Sequence, residues 1–90
     1  MNNAQTWLNN NISINQRVNI TQLSICSSDC QNELVYQLTT NDVPENNRHY
    51  LDIPLTGELD LSSLINLEQL DIHDQKITRL SLSGCSTTRQ

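Results

Sequence analysis

Asn66-Leu67-Glu68-Gln69-Leu70-Asp71-Ile72, followed ten residues on by Ile77-Thr78-Arg79-Leu80-Ser81-Leu82, is the stretch that decides the fold. Both halves carry apolar residues at the spacing L-x-x-L-x-L, and the same spacing occurs near the start as Ile20-x-x-Leu23-x-Ile25. A second relation runs through the region: Leu59, Leu61 and Leu64 reappear 21 residues later as Leu80, Leu82 and Cys85. In Leu70-Asp71-Ile72 the apolar side chains point one way and Asp71 the other, because successive side chains on a strand alternate faces. Leu59-Asp60-Leu61 and Leu80-Ser81-Leu82 read alike. A helix would need apolar spacings of three and four sustained over several turns, so these segments are expected to be strands. A period in the low twenties built on such units implies a solenoid, in which each coil lays a short strand beside that of the next.

Upstream, residues 3–12 read as a short helix with Trp7, Leu8 and Ile12 on its apolar side and Asn2 or Asn3 as N-cap. Such a helix covers the leucines at one end of a repeat stack. Ser13 to Arg17 forms the turn into a strand over 19–25. Aligning the L-x-x-L-x-L units leaves 47 residues between the first and second, more than twice one coil, so the stretch of about 26–54 is an insertion. Within it, 33–38 and 50–53 are expected to be short strands, and the polar run 39–48 an exposed loop.

These residues resemble the leucine-rich repeat proteins of a fungal type, which open with an A-Q-x-W-L cap helix and continue in coils of the form N-L-x-x-L-x-x-x-x-N-x-L-T-x-L-x-L-S-x-C. The matching stretches are Ala4-Gln5-Thr6-Trp7-Leu8, Ile20-Thr21-Gln22-Leu23-Ser24-Ile25, Asn66 to Ile72, and Ile77 to Cys85. The resemblance implies an α/β to mainly β repeat: a cap helix and turn over 3–18, a first repeat over 19–66 carrying the insertion, a second over 67–86, and a tail over 87–90. Its strands would be short and parallel. Family members use their repeats as interaction scaffolds. Gln75 stands where the family's ladder asparagine belongs, with an amide of longer reach. Thr88 stands where the next coil's leucine would fall, as if the chain were cut at the start of a third coil.

Composition narrows the function. Thirteen Leu and eight Ile supply most of the apolar content, Phe is absent, and Asn and Gln make up 20 of the 90 residues. The net charge is −5, with Arg17, Arg48, Lys76, Arg79 and Arg89 scattered, so the basic footprint that neutralises phosphates is missing. Neither nucleic acid nor an anionic membrane is expected as a partner. No apolar run approaches the roughly 20 residues of a bilayer span, and the first residues do not read as a signal peptide, which makes a cytoplasmic location the default.

No phosphate loop, nucleophile elbow or metalloprotease helix is present, so no enzyme is expected, and no cofactor. Cys26, Cys30 and His49 are one ligand short of a structural zinc set and read as structural, with Cys26 and Cys30 as free thiols. Cys85 takes a leucine-equivalent position and is expected to face the core. The leading expectation is a protein–protein interaction module binding an unknown protein through the outward residues Glu68, Gln69, Asp71 and His73, extended by Gln22 and Ser24. Leu23, Leu70 and Leu80 should be buried, and Gln22, Asp71 and Arg79 exposed. Self-association through an open C-terminal edge is the accompanying expectation. Two readings from other classes stand beside it: a truncated chain with no independent binding role, and a small Cys/His metal-binding protein.

Overall fold

Three short helices and six short strands, the strands in two all-parallel sheets, make up the computed structural model, which describes residues 2–85. The chain opens with a two-residue strand, β1 (Asn2–Asn3), and helix α1 (Ala4–Asn11), then a single helical turn, α2 (Ile14–Arg17), and β2 (Gln22–Ser27). A 3-10 turn over Ser28–Asn32 leads to α3 (Leu34–Thr39), and a second over Glu45–Asn47 to β3 (Arg48–Leu51). Strands β4 (Leu55–Asp60), β5 (Gln69–Ile72) and β6 (Lys76–Ser81) complete the chain. One sheet has the order β1-β4-β6, the other β3-β2-β5.

The registers carry the sequence periods directly. In β2 and β5, Leu23 lies opposite Leu70 and Ile25 opposite Ile72, an offset of 47. In β4 and β6, Leu59 lies opposite Leu80 and Asp60 opposite Ser81, an offset of 21. The offset of ten between the two L-x-x-L-x-L units therefore relates strands on different sheets, β5 and β6, joined by a turn at His73–Gln75. Between the sheets, Leu23, Ile25, Leu55, Leu59, Leu61, Leu64, Leu67 and Leu70 form one core, and Ala4, Trp7 and Leu8 of α1 pack into it. Side chains that face inward from both sheets satisfy the hydrophobic effect with no aromatic larger than Trp7 at the centre.

Polar side chains fasten the ends. Asn3 Oδ1 accepts from the Thr6 N–H at 3.0 Å and caps α1. Gln5 Oε1 accepts from the Asp60 N–H at 2.8 Å, tying α1 to β4. Gln75 bridges two backbone groups: its Oε1 accepts from the Leu55 N–H at 2.7 Å and its Nε2 donates to the His73 carbonyl at 3.0 Å. Arg17 is only 4% exposed. Its guanidinium donates to the carbonyls of Ile12 and Leu8, to Asn9 Oδ1 and to Ser63 Oγ. Carbonyls at the C-terminal end of α1 supply the negative potential this buried cation needs. Gly84 passes so close to the Ser62 backbone that any side chain there would collide with it.

The structure differs from the sequence reading at several places. The 13–17 turn contains α2. Residues 33–38, expected as a strand, form α3, because helical geometry directs Tyr36 and Thr40 to the protein and leaves Leu34, Val35 and Leu38 outside. The 39–48 run is not wholly exposed, since Thr40 and Val43 are buried. Strand β3 begins earlier than 50 and pairs in parallel with β2, Ile25 opposite His49. Leu80 is half-buried rather than buried, because β6 is the last strand of its sheet among the described residues. Asp71 is half-buried and Arg79 exposed. Cys85 packs against the core, its Sγ 3.3 Å from the Leu61 carbonyl. Thr88 and the 87–90 tail lie outside the described residues. Among those that are described, no helix is long and apolar enough to cross a membrane.

Two stability outcomes follow from this packing. Leu70→Ala should cost about 2–5 kcal/mol, the range for a fully buried leucine, whereas Leu80→Ala should cost about 1–2 kcal/mol because its partner side is open. Urea titrations of the two variants check the ordering, and equal losses would contradict the half-burial of Leu80. Arg17→Met should cost about 2–3 kcal/mol through its lost charged hydrogen bonds. A melting curve unchanged by that substitution would show that Arg17 does not secure α1.

Candidate interaction surface

The pairing of β2 with β5 sets the outward residues side by side: Gln22 next to Gln69, and Ser24 next to Asp71. Glu68 and His73 flank β5 and are exposed, while Gln22, Gln69 and Asp71 are half-buried. Gln69 Nε2 donates to Asp71 Oδ2 at 3.0 Å, and Gln22 Nε2 to Asp42 Oδ2 at 3.4 Å. Gln22, Ser24, Gln69 and Asp71 thus share one face of the sheet, with Glu68 and His73 exposed at the two ends of β5.

Ser24, however, is fully buried and makes a close hydrogen bond with the Tyr36 hydroxyl. The inserted segment folds back over the outer face of β2, and α3 lays Tyr36 on Ser24. Burial raises the Tyr36 pKa, partly offset by the Ser24 hydrogen bond. The Tyr36 ring meets His73 edge-on at 5.3 Å between centroids and Tyr50 at 6.2 Å. Strand alternation alone assigned Ser24 to solvent; only the path of the insertion covers it.

The same fold-back brings Cys26 and Cys30 together under α3. They are joined as a disulfide, contrary to the free thiols expected from sequence. His49 lies elsewhere, edge-on against Trp7 at 5.0 Å. The carboxylate that accompanies the two sulfurs is that of Asp74, from the turn between β5 and β6.

Two apolar features mark the surface. The first is a cleft of about 370 Å³ along the β5–β6 side of the molecule, with Leu70, Ile72, Ile77 and Leu80 as apolar walls and Asp71, His73, Thr78 and Arg79 around them. Among the described residues, β5 and β6 each have a strand neighbour on one side only, and both bare edges face this cleft's end of the molecule. Thr78 is an extra residue in β6, a bulge opposite the Gly57–Glu58 step. Exposed Arg79 pairs with exposed Glu58 at 3.6 Å. A bulge and charges of this sort discourage indiscriminate strand pairing. The second feature is the outer face of α3, where Leu34, Val35 and Leu38 are 71%, 77% and 62% exposed. Their spacing was the available signal: apolar residues at i, i+1 and i+4 suit one side of a helix. His73 borders both regions, lining the cleft and a smaller one beside Val35 and Tyr36.

Comparisons with protein-family models, curated proteins and solved structures find no match to this chain.

Away from that surface, His49 gives the molecule a pH dependence. Burial holds the His49 imidazole below its ordinary value of 6.5. In the unfolded chain His49 takes up a proton near that value, while the folded state stays neutral to lower pH. The unfolded state then binds more protons, so this contribution to stability is present above about pH 6.5 and is lost as the pH falls. Asp60, held low by the Ser62 hydroxyl and N–H, acts only in the carboxylate range. Thermal melts between about pH 7 and about pH 5 should show a falling midpoint in the native chain and a flatter profile in His49→Gln. An imidazole titrating above 6.5 by NMR would contradict the burial of His49.

Proposed function

We propose that this chain is a protein–protein interaction module, the capped N-terminal segment of a leucine-rich repeat solenoid, that binds rather than catalyses. The β5–β6 end of the molecule is the single observation that carries the reading. Two parallel strand edges lie side by side there, with an aliphatic cleft between them and charged groups at the rim. Interfaces between proteins have this anatomy, an apolar centre ringed by polar groups. The partner is a protein segment that offers aliphatic side chains to the cleft and backbone groups to the strand edges. Glu68, Gln69, Asp71 and His73 border that end and set an acidic-to-neutral rim, which favours basic or polar groups on the partner. Gln22 extends the surface along β2.

The repeat component of this reading rests on the offsets of 47 and 21 that the strand registers reproduce. The capping role of α1 rests on Ala4, Trp7 and Leu8 closing the core beside β4. With no other partner offered, the same end should pair with a second copy. The net charge of −5 opposes this weakly, because the Debye length at physiological salt is only about 8 Å.

Sedimentation velocity over a concentration series tests the proposal. The unmodified chain should show concentration-dependent association, and Ile77→Lys, which sets a charge on the cleft wall, should reduce it while the far-UV circular dichroism is retained. A strict monomer at high concentration with a sharp two-state melt would argue for a closed small domain instead.

A further inference from the structure

Two segments remote in sequence converge under α3. Cys26 comes from β2, Cys30 from the 3-10 turn that follows, and Asp74 from the turn between β5 and β6. Asp74 Oδ2 lies 3.8 Å from the sulfur of Cys26 and 3.8 Å from that of Cys30. The two Cα atoms of the cysteines are 6.2 Å apart. Asp74 itself holds a left-handed backbone conformation, φ 57°.

We propose that the reduced chain binds one zinc ion through Cys26 Sγ, Cys30 Sγ and the Asp74 carboxylate. Tetrahedral zinc has Zn–S near 2.3 Å and Zn–O near 2.0–2.2 Å, which places ligand atoms about 3.6 Å (S to O) and about 3.8 Å (S to S) apart. Both sulfur-to-carboxylate distances already match such edges. The sulfurs alone must separate, by side-chain rotation once the bond between them is broken. Against a disulfide, the Asp74 oxygen has a single hydroxyl donor nearby, Ser27 Oγ at 3.3 Å. Disulfide sulfur offers no hydrogen and no positive charge, so a carboxylate equidistant from both sulfurs suits a metal better than it suits the oxidised pair. Both cysteines are buried whereas Asp74 is exposed, beside a cleft lined by Cys30, Glu33, Tyr36 and His73. That opening is the ion's route in and the place for water as fourth ligand.

The chemistry balances with a small-molecule thiol as reductant. Two of its thiols are oxidised to a disulfide, and their two electrons and two protons convert the Cys26–Cys30 bond to two thiols. Zinc then displaces both thiol protons to solvent, and the two thiolates with the carboxylate give a ligand charge of −3 against +2. Metal occupancy is thereby coupled to thiol oxidation: the ion leaves when the disulfide forms.

Cobalt(II) and zinc titrations of the full chain test the site, in a Cys85→Ser background so that only two thiols remain. The reduced chain should take one equivalent of cobalt with thiolate-to-metal charge-transfer absorption that zinc abolishes, and the oxidised chain none. Asp74→Asn, a surface substitution, should weaken affinity about tenfold or more. Cys30→Ser should remove the charge-transfer band. Should reduction unfold the chain, one equivalent of zinc should restore its circular dichroism. A reduced, folded chain that binds no cobalt, binding unaffected by both Asp74→Asn and Cys30→Ser, or a reduced chain that zinc leaves unfolded would each overturn the proposal.

Discussion

Everything in this fold depends on two parallel registers that bring inward leucines into the same layer: Leu23 beside Leu70 on one sheet and Leu59 beside Leu80 on the other. Parallel strands cannot be joined by tight hairpins, so the chain must cross from sheet to sheet between pairings. The crossings at Leu61–Leu67 and at His73–Gln75 do this in few residues, with Leu61, Leu64 and Leu67 filling the turn from inside. A slip of one residue in either register would turn every leucine of that strand outward. In a chain of 90 residues, with so little core to spare, such a slip would forfeit much of the burial that stabilises the fold.

An abundance of amide side chains is the complement of that thin core. Tight crossings leave backbone groups without ladder partners, and buried backbone groups left unpaired are costly. Gln5, Gln75 and Asn66 reach such groups on Asp60, Leu55 and Val18, while Asn11 and Gln37 serve carbonyls at helix and 3-10 ends. Arg17 does the same with a charged group, accepting near-complete burial because helix carbonyls surround it. Polar composition that adds little to hydrophobic burial thus contributes by fixing where the chain turns.

The segment that follows β2 divides the surface into a closed part and an open part. By placing Tyr36 over Ser24 and drawing Cys30 to Cys26, it seals the outer face of β2 and supplies β3 to that strand's other edge. The neighbouring β5 receives no such cover beyond Tyr36 against His73. The binding role proposed for the β5–β6 end follows from this asymmetry, and so does the proposed metal site, since α3 is what encloses the two sulfurs beside Asp74.

Local pattern was enough to read the strands around Leu59, Leu70 and Leu80, the helix bearing Trp7, and the offsets that became registers, because inward–outward alternation and a fixed period are properties of the chain itself. It also placed Gln22, Gln69 and Asp71 on one face. It failed at Leu34–Thr39, where a short apolar run suggested a strand although the side chains that matter for packing are Tyr36 and Thr40, one helical turn apart. It failed for Ser24, whose burial depends on a segment 12 residues away folding back, and for Cys26, Cys30 and Asp74, which no spacing rule connects. Alternation and period act between near neighbours and are written in order along the sequence. Cover, enclosure and ligand grouping depend on where distant segments cross, and that is decided only when the two sheets close on their common core.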